Sequence, residues 1–146
     1  MPVFGHYLMF DRACAEAMEF YKEAFGGEIL EMRKYGDMPP NPAFPVAEAD
    51  KGLVLHARLR VGDTEIMAAD GKNRRAAGEN MYITMTAKDA AAVQKAWDAL
   101  KEGAEVYMDL APTFFAALHG SLRDRFGINW MFTVLVCTPR NGGRIC

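Results

Sequence analysis

Three side chains that can bind an anion alternate along one segment of the chain. His56, Arg58 and Arg60 are separated by apolar residues within positions 53–61, an alternation typical of a half-buried β-strand. An imidazole beside guanidinium groups suits an anionic or phosphonate-like ligand, because arginine holds such groups through two parallel hydrogen bonds. The alternative is a solvated strand face whose charges contact only water. The pattern therefore predicts either a binding surface or a plain exposed face.

Residues that act as nucleophiles are scarce. Ser121 is the only serine, and its neighbours indicate no set of serine, histidine and acid. Cys14, Cys137 and Cys146 have neither metal-type nor disulfide-type spacing. Cys14 falls near the start of a predicted helix, where a thiolate is stabilised, and the alternative is a small residue packed near a sheet. The sequence therefore shows no constellation typical of nucleophilic catalysis.

The elements that position these residues begin with a strand, helix, strand unit at 6–32. An alternating run is followed by the spacing of an amphipathic helix, with Asp11 as candidate N-cap. Gly26 and Gly27 supply the left-handed residue that ends such a helix. The apolar stripe of the helix consists of Ala13, Ala17, Phe20, Tyr21 and Ala24.

The rest of the first half predicts a loop and a hairpin. Residues 35–52 hold four prolines among acidic residues, and a loop of this length in a compact domain is functional or mobile. Residues 53–61 and 64–69 are the two strands of the hairpin, with a glycine turn between them. Residues 70–80 are polar and link the halves.

The second half repeats the pattern of the first. A shift of 75 residues places Tyr7 over Tyr82, and after one inserted residue Gly27 meets Gly103. The repeat predicts a helix at about 89–102. Strands are predicted at 81–86, 104–110, 119–123 and 130–136. The order of elements is therefore βαβββ-βαβββ.

This order predicts an α+β fold of two βαβββ modules within a single domain, residues 1–146. Module 1 covers about 3–70, module 2 about 80–136, and the tail 137–146 has the composition of a loose terminus or of a segment packed across a partner subunit. One helix covers one face of each sheet, so the uncovered faces must meet each other, a partner chain or a ligand.

Composition narrows the class of protein. The chain has 146 residues, of which 51% are hydrophobic and 25% charged, with a formal net charge of −2. These values are ordinary for a globular protein and give no electrostatic basis for binding nucleic acid or anionic membranes. There is no apolar run long enough to span a bilayer and no secretion signal pattern. We therefore expect a cytoplasmic protein that has neither nucleic acid nor membrane as a partner.

Four separated motifs carry a resemblance to a known family. They are YLMFDRACAEAMEFYKEAFGGE (7–28), YGDMP (35–39), LHARLRVGDTEIMAAD (55–70) and PTFFAALHGSLRDRFGINWMF (112–132). With these motifs the chain resembles the vicinal oxygen chelate superfamily of glyoxalase I, bleomycin-resistance protein and extradiol dioxygenase, and specifically its PhnB-like branch. The resemblance implies curved mixed sheets around a small-molecule cavity, and a homodimer.

The resemblance raises two questions about cofactors. Some PhnB-like proteins carry the label of a ubiquinone-pathway methyltransferase. This sequence lacks the glycine-rich loop, placed after a strand and followed by a downstream acidic residue, that a nucleotide-type cofactor site needs. We therefore expect neither methyl transfer nor an organic cofactor.

The second question is whether the chain binds a divalent metal. Metal-dependent members of the superfamily carry His or Glu ligands on the first and last strands of each module. His6 matches one such position, and Glu65 shares a face with Met67, which is the better match to another. Met81 and Met131 occupy the remaining positions, and a thioether does not suit a hard cation. We therefore expect no metal; if one binds, its ligands are His6 and Glu65.

Apolar residues complete the set of candidates. Phe115 with Ala116 replaces what resembles a Trp-Gly pair of the family, which alters the lip of the cavity, while His119 substitutes for a packing aromatic. Methionine and aromatic residues of the predicted strands line an apolar pocket or, more commonly, fill the core. They are Met67, Met81, Met85, Trp130 and Phe132.

Two functions follow. The first is a metal-free protein that binds an apolar or anionic small molecule in its cavity. The candidate ligand-binding residues are His6, His56, Arg58, Phe115 and Trp130. The alternative is a metal-dependent lyase, isomerase or dioxygenase, in which the cation acts as a Lewis acid on vicinal oxygens. The low number of ligands favours the first function; a folded dimer with a collapsed cavity is a third possibility.

Overall fold

The structure is a computed structural model, and it describes residues 1–71, 78–136, 138–140 and 143–145. The chain divides into two compact units, Met1–Arg75 and Ala76–Cys146. Each unit begins with a strand, a helix and three further strands in that order, which confirms the predicted βαβββ-βαβββ arrangement, and the second unit continues into a short C-terminal hairpin.

The first unit is a four-stranded mixed sheet with one helix. Its elements are β1 (His6–Phe10), α1 (Cys14–Phe25), β2 (Glu28–Lys34), β3 (Val54–Val61) and β4 (Thr64–Asp70). The strand order is β1, β4, β3, β2, with β1 parallel to β4 and the other neighbours antiparallel. The predicted hairpin is β3 with β4, and its turn is closed by Gly62 with a φ of 57°.

Helix α1 packs its apolar face against β2, β3 and β4. Its buried residues are Cys14, Ala17, Met18, Tyr21 and Ala24. Met18 therefore takes the position in the core that was predicted for the half-buried Phe20. Burial of a large apolar side chain contributes about 1.5–3 kcal/mol to stability. The helix ends at Gly26, whose φ of 67° confirms the predicted left-handed stop.

The start of α1 is stabilised from a distant part of the chain. The prediction of Asp11 as N-cap is wrong, because the N-cap residue is Ala13 and no side chain of the cap accepts a hydrogen bond there. Asp70 Oδ1 accepts the backbone N–H of Cys14 at 2.9 Å instead, and Asp70 Oδ2 accepts that of Val54 at 2.9 Å. The buried carboxylate thus joins the start of α1, the start of β3 and the end of β4.

The second unit has the same topology. Its elements are β5 (Ile83–Ala87), α2 (Ala90–Leu100), β6 (Glu105–Ala111), β7 (Leu118–Arg123) and β8 (Asn129–Val134). The strand order is β5, β8, β7, β6, with β5 parallel to β8. Asp89 caps α2 by accepting the N–H of Ala91 at 2.9 Å. Val93, Ala96, Trp97 and Leu100 form the buried face of this helix.

The tail forms a short antiparallel hairpin, β9 (Thr138–Arg140) with β10 (Gly143–Ile145). Strand pairing over these residues differs from the loose terminus that the composition indicated. Cys137 and Cys146 lie outside the described residues. Within the described part of the chain, neither helix has the length and apolar character needed to span a membrane.

Candidate functional site

The sheet of the first unit has one face covered by α1 and a second face rich in polar side chains. Across the strands Tyr7 pairs with Met67, Met67 with Arg58, and Arg58 with Glu31, so these four side chains form a row on one face. Alternation along each strand adds the neighbours at two-residue intervals. We call this surface the polar face, with central residues Tyr7, Met9, Glu31, Arg33, His56, Arg58, Glu65 and Met67.

Tyr7 and His56 form a pair that bridges β4. The Tyr7 hydroxyl oxygen lies 3.0 Å from Nδ1 of His56, and the two rings are stacked with centroids 5.7 Å apart and an interplanar angle of 27°. Burial raises the pKa of the Tyr7 hydroxyl, so the phenol remains protonated at neutral pH. The structure therefore places His56 on the polar face, as predicted, but in contact with a tyrosine that the sequence reasoning did not select.

Arg58 is held by two carboxylates. Its Nε and Nη2 donate to Glu65 at 3.0 and 2.7 Å, and its Nη1 lies 3.5 Å from Glu31. Hydrogen bonds from Arg58 lower the pKa of Glu65, and the same bonds raise the pKa of Arg58. A hydrogen bond from Arg33 lowers the pKa of Glu31. The lowered pKa values keep the carboxylates of Glu31 and Glu65 ionised at neutral pH.

This cluster changes the expected ligand chemistry. The charges of Arg33 and Arg58 are balanced by those of Glu31 and Glu65, so the four groups have no net charge. A guanidinium that already donates to a carboxylate through two hydrogen bonds would have to leave that partner in order to bind an anion. The cluster therefore argues against Arg58 as a ready site for an anionic ligand.

His6 and Glu65 are not brought together. His6 pairs with Ile66 across β1 and β4, so its side chain shares the α1-covered face, whereas the adjacent Glu65 lies on the polar face with Arg58. The Nδ1 atom of His6 is buried and has no hydrogen-bond partner among the described residues. Within the described ranges, no three His, Cys, Asp or Glu side chains are grouped so as to hold a metal ion. These residues do not fit the ligand set that the resemblance implied.

Two candidates lie in the second unit, in different environments. Phe115 is 54% exposed and meets the ring of His119 edge-on at 4.9 Å, while Nδ1 of His119 lies 3.0 Å from Oγ1 of Thr133. Trp130 is 2% exposed, and its Nε1 donates to Asp124 at 2.8 Å. Trp130 is therefore packed in the core of the second unit, and its role as a ligand-binding residue stays a prediction.

Cys14 is a packed residue. Its side chain is fully buried, and burial raises the pKa of the thiol to about 12, with the nearby Asp70 carboxylate acting in the same direction. Of the two interpretations of Cys14, the structure supports packing and not a stabilised thiolate.

The proline-rich loop forms a cavity of its own. Its volume is about 530 Å³, and it lies within residues 35–51. The lining contains four prolines together with Tyr35, Met38, Phe44 and Lys51. Tyr35 is anchored because its hydroxyl donates to the backbone oxygen of Asp70 at 3.0 Å. No residue of this cavity belongs to the polar face.

Four residues of the polar face were not predicted from the sequence: Tyr7, Met9, Glu31 and Arg33. Alternation in β1 could have placed Tyr7 on the face opposite Leu8 and Phe10, which are buried. No comparable signal exists for Glu31, because a register shift in β2 lies between Ile29 and Glu31.

A known protein family matches most of the chain. Residues 3–133 match the family described as 3-demethylubiquinone-9 3-methyltransferase. The chain belongs to this family. It is also 26% identical to Protein YjdN of Escherichia coli over 146 residues, which cover 95% of this chain and 99% of YjdN.

Solved structures agree with this assignment. The crystal structure of protein PA1353 from Pseudomonas aeruginosa is similar with 34% identity and a TM-score of 0.80, over 92% of this chain and 98% of that one. A glyoxylase/bleomycin resistance protein/dioxygenase domain from Frankia sp. shares the fold, with a TM-score of 0.61 at 13% identity over 93% of this chain and 98% of that one. The match over residues 3–133 shows the family, and the fold shared with the Frankia domain confirms the predicted glyoxalase/bleomycin-resistance fold.

The family's description as a methyltransferase implies a methyl donor, but the residues do not fit a methyl donor of the nucleotide type. A nucleotide-type cofactor binds where a glycine-rich turn leads from a strand into a helix, because backbone N–H groups must approach its charged groups closely. Here β1 reaches α1 through Asp11, Arg12 and Ala13, and β5 reaches α2 through Lys88 and Asp89. Neither connection contains a glycine.

Proposed function

We propose that this protein binds a small, uncharged and largely apolar molecule on the polar face of its first unit. The observation that carries the proposal is an open sheet face that combines apolar surface with polar groups that are already paired. Tyr7 is 48% exposed and Met9 is 37% exposed. They lie beside His56 and beside Arg58, whose charge is balanced by neighbouring carboxylates. Exposed apolar side chains around a few polar groups are typical of a ligand site.

The proposal favours an uncharged ligand over an anionic one. Arg58 and Arg33 are engaged by carboxylates, and the neighbouring Arg60 donates to Glu28 at 2.6 Å. An anion would compete with these carboxylates and would also meet their repulsion. An apolar molecule gains from burying Met9 and the ring of Tyr7 without disturbing any ion pair.

We also propose that the protein binds its ligand without a resident metal ion. The candidate metal ligands support this: His6 and Glu65 lie on opposite faces of the sheet, and the side chains of Met81 and Met131 are thioethers. Hard divalent cations need several convergent nitrogen and oxygen donors. We further propose a homodimer, because the chain exposes large apolar side chains that a partner copy would bury. Among them are Phe4 at 97%, Phe114 at 99% and Met81 at 74% exposure.

The first test is metal content by elemental analysis, combined with native mass spectrometry on untagged protein purified without chelator. We expect no stoichiometric divalent ion and a dimer mass, with a retained small molecule as additional support. A stoichiometric ion would instead support the metal-dependent lyase, isomerase or dioxygenase. A monomer mass in light scattering across micromolar concentrations would refute the dimer.

The second test separates ligand classes with named probes. Nile red, an uncharged apolar dye, is expected to bind, whereas the anion phenylphosphonate is not. His56→Ala should weaken Nile red binding about fivefold, the value of one hydrogen bond of about 1 kcal/mol. Arg60→Gln, a change at the hairpin end of the same strand, should leave it unchanged. Preferential binding of phenylphosphonate, lost in Arg58→Gln, would overturn the proposal.

A further inference from the structure

The contact between Tyr7 and His56 has a consequence for the chemistry of the polar face. The two residues belong to β1 and β3, which lie on either side of β4. The β4 residue paired with Met9 on this face is Ala69, which is 4% exposed although α1 does not cover it. A methyl side chain takes up little space on this face, which favours contact between side chains of β1 and β3.

The hydrogen bond between Tyr7 and His56 can run in either direction. Either the Tyr7 hydroxyl donates to an unprotonated Nδ1, or it accepts from a protonated Nδ1. A bare imidazole nitrogen is a strong acceptor, and a phenol is a better donor than acceptor, so the first arrangement is favoured. Burial raises the pKa of Tyr7, which keeps the donated proton on the phenol. In a neutral imidazole, the hydrogen bond at one nitrogen decides where the proton lies on the ring.

We propose that Tyr7 is a positioning residue that holds neutral His56 as the Nε2-protonated tautomer, so that the polar face presents a hydrogen-bond donor to its ligand. The Nε2 atom has no hydrogen-bond partner among the described residues, so its N–H is available. The ligand class that this donor recognises is an uncharged molecule with an oxygen acceptor, such as a carbonyl. A protonated Nε2 has no lone pair for a metal ion.

The tautomer is a property of the free protein, and only its role in recognition rests on the proposed function. The experiment is a long-range ¹H–¹⁵N spectrum of protein labelled with ¹⁵N-histidine at pH 8, above the ordinary histidine pKa of about 6.5. The chain has three histidines, and His56→Ala assigns the signals of His56. We expect the Nε2–H pattern in the wild type. In Tyr7→Phe, which keeps the ring but removes the donor, the Nδ1 resonance should shift towards the average of the two tautomers.

Tyr82→Phe is the matched control, because it removes a hydroxyl from the equivalent position of the repeat and should leave the His56 signals unchanged. An Nδ1–H pattern in the wild type would overturn the proposal, and so would identical His56 signals in the wild type and Tyr7→Phe. If Tyr7→Phe does not fold, the wild-type pattern alone decides between the two arrangements.

A pair of probes tests recognition separately from the tautomer. Nile red carries a carbonyl acceptor, whereas pyrene is apolar and has none. His56→Ala should weaken Nile red binding about fivefold and pyrene binding less than twofold. Equal losses for both probes would overturn the role of the donor. An Nε2–H pattern without binding of either probe would refute the proposed function while leaving the tautomer assignment intact.

Discussion

Asp70 and Cys14, 56 positions apart, are joined by a hydrogen bond of 2.9 Å from the Cys14 backbone N–H to the buried Asp70 carboxylate. The second oxygen of the same carboxylate accepts the N–H of Val54 at 2.9 Å. A buried N–H without a partner is costly, so the two bonds satisfy groups that no neighbouring side chain serves. The bonds fix the start of α1 relative to the sheet.

Replacement of Asp70 tests this role. Asp70→Ala should lower the free energy of unfolding by about 3 kcal/mol, because two buried N–H groups lose a charged acceptor. Urea denaturation followed by circular dichroism measures the change. Asp63→Ala, at an exposed position in the turn between β3 and β4, is the control and should change stability by less than about 0.5 kcal/mol. Equal effects of the two changes would contradict an anchoring role for Asp70.

We expect the buried thiol of Cys14 to lower the free energy of unfolding at alkaline pH. Its thiol has a pKa of about 12 in the folded protein, against an ordinary value of about 8.5 for an unfolded chain. Above the lower value the unfolded chain loses this proton while the folded protein keeps it, so the free energy of unfolding decreases as pH rises. The expected slope from this group is about 1.4 kcal/mol per pH unit between the two values.

The measurement is urea denaturation at pH 9, 10 and 11 in a protein with Cys137→Ser and Cys146→Ser. In a second protein with the additional change Cys14→Ala, the free energy of unfolding should fall less steeply with pH. The difference in slope should be about 1.4 kcal/mol per pH unit. The native thiol at position 14 should also resist labelling by a disulfide reagent at pH 8. Parallel pH profiles in the two proteins, or rapid labelling, would show that the thiol ionises in the folded state.

The carboxylates around Arg58 should titrate together. Arg58→Gln removes the hydrogen bonds that lower the pKa of Glu65 and one of those acting on Glu31, so both pKa values should rise towards about 4.3. Titration of the side-chain carboxyl carbons by NMR between pH 2 and 7 measures them. Arg60→Gln is the control, and it should raise the pKa of Glu65 less, because Arg60 acts on it only through charge. A larger effect from Arg60 would contradict the observed pairing.

Gly27 should not tolerate a side chain. A Cβ atom at this position would lie 2.7 Å from the backbone oxygen of Arg60 and 3.1 Å from a methyl group of Leu59. Gly27→Ala should therefore lower the free energy of unfolding by about 2 kcal/mol through overpacking. At Gly52 a Cβ would meet nothing within 4 Å, so Gly52→Ala should leave stability unchanged or raise it by up to about 1 kcal/mol. Thermal and urea denaturation of the two variants provide the comparison.

The sequence by itself determined the elements and their order. The alternation around Ala57 and Leu59, both buried, and the stripe that contains Ala17 and Tyr21 predict a strand and a helix because each depends on local periodicity. Gly26 ends the helix as predicted, since a left-handed residue favours glycine whatever surrounds it. The family resemblance could also be recognised from the sequence, because each of its four motifs is an unbroken stretch of residues.

The tertiary structure alone decided which side chains meet. The sequence predicted no metal and named His6 and Glu65 as the ligands if one binds, yet the register of β1 against β4 places the two residues on opposite faces. Register has this effect because an offset of one residue moves a side chain to the other face of a sheet. Tyr7 with His56, Arg58 with Glu65 and Asp70 with Cys14 are contacts across strands or between elements, and local sequence patterns do not encode such distances.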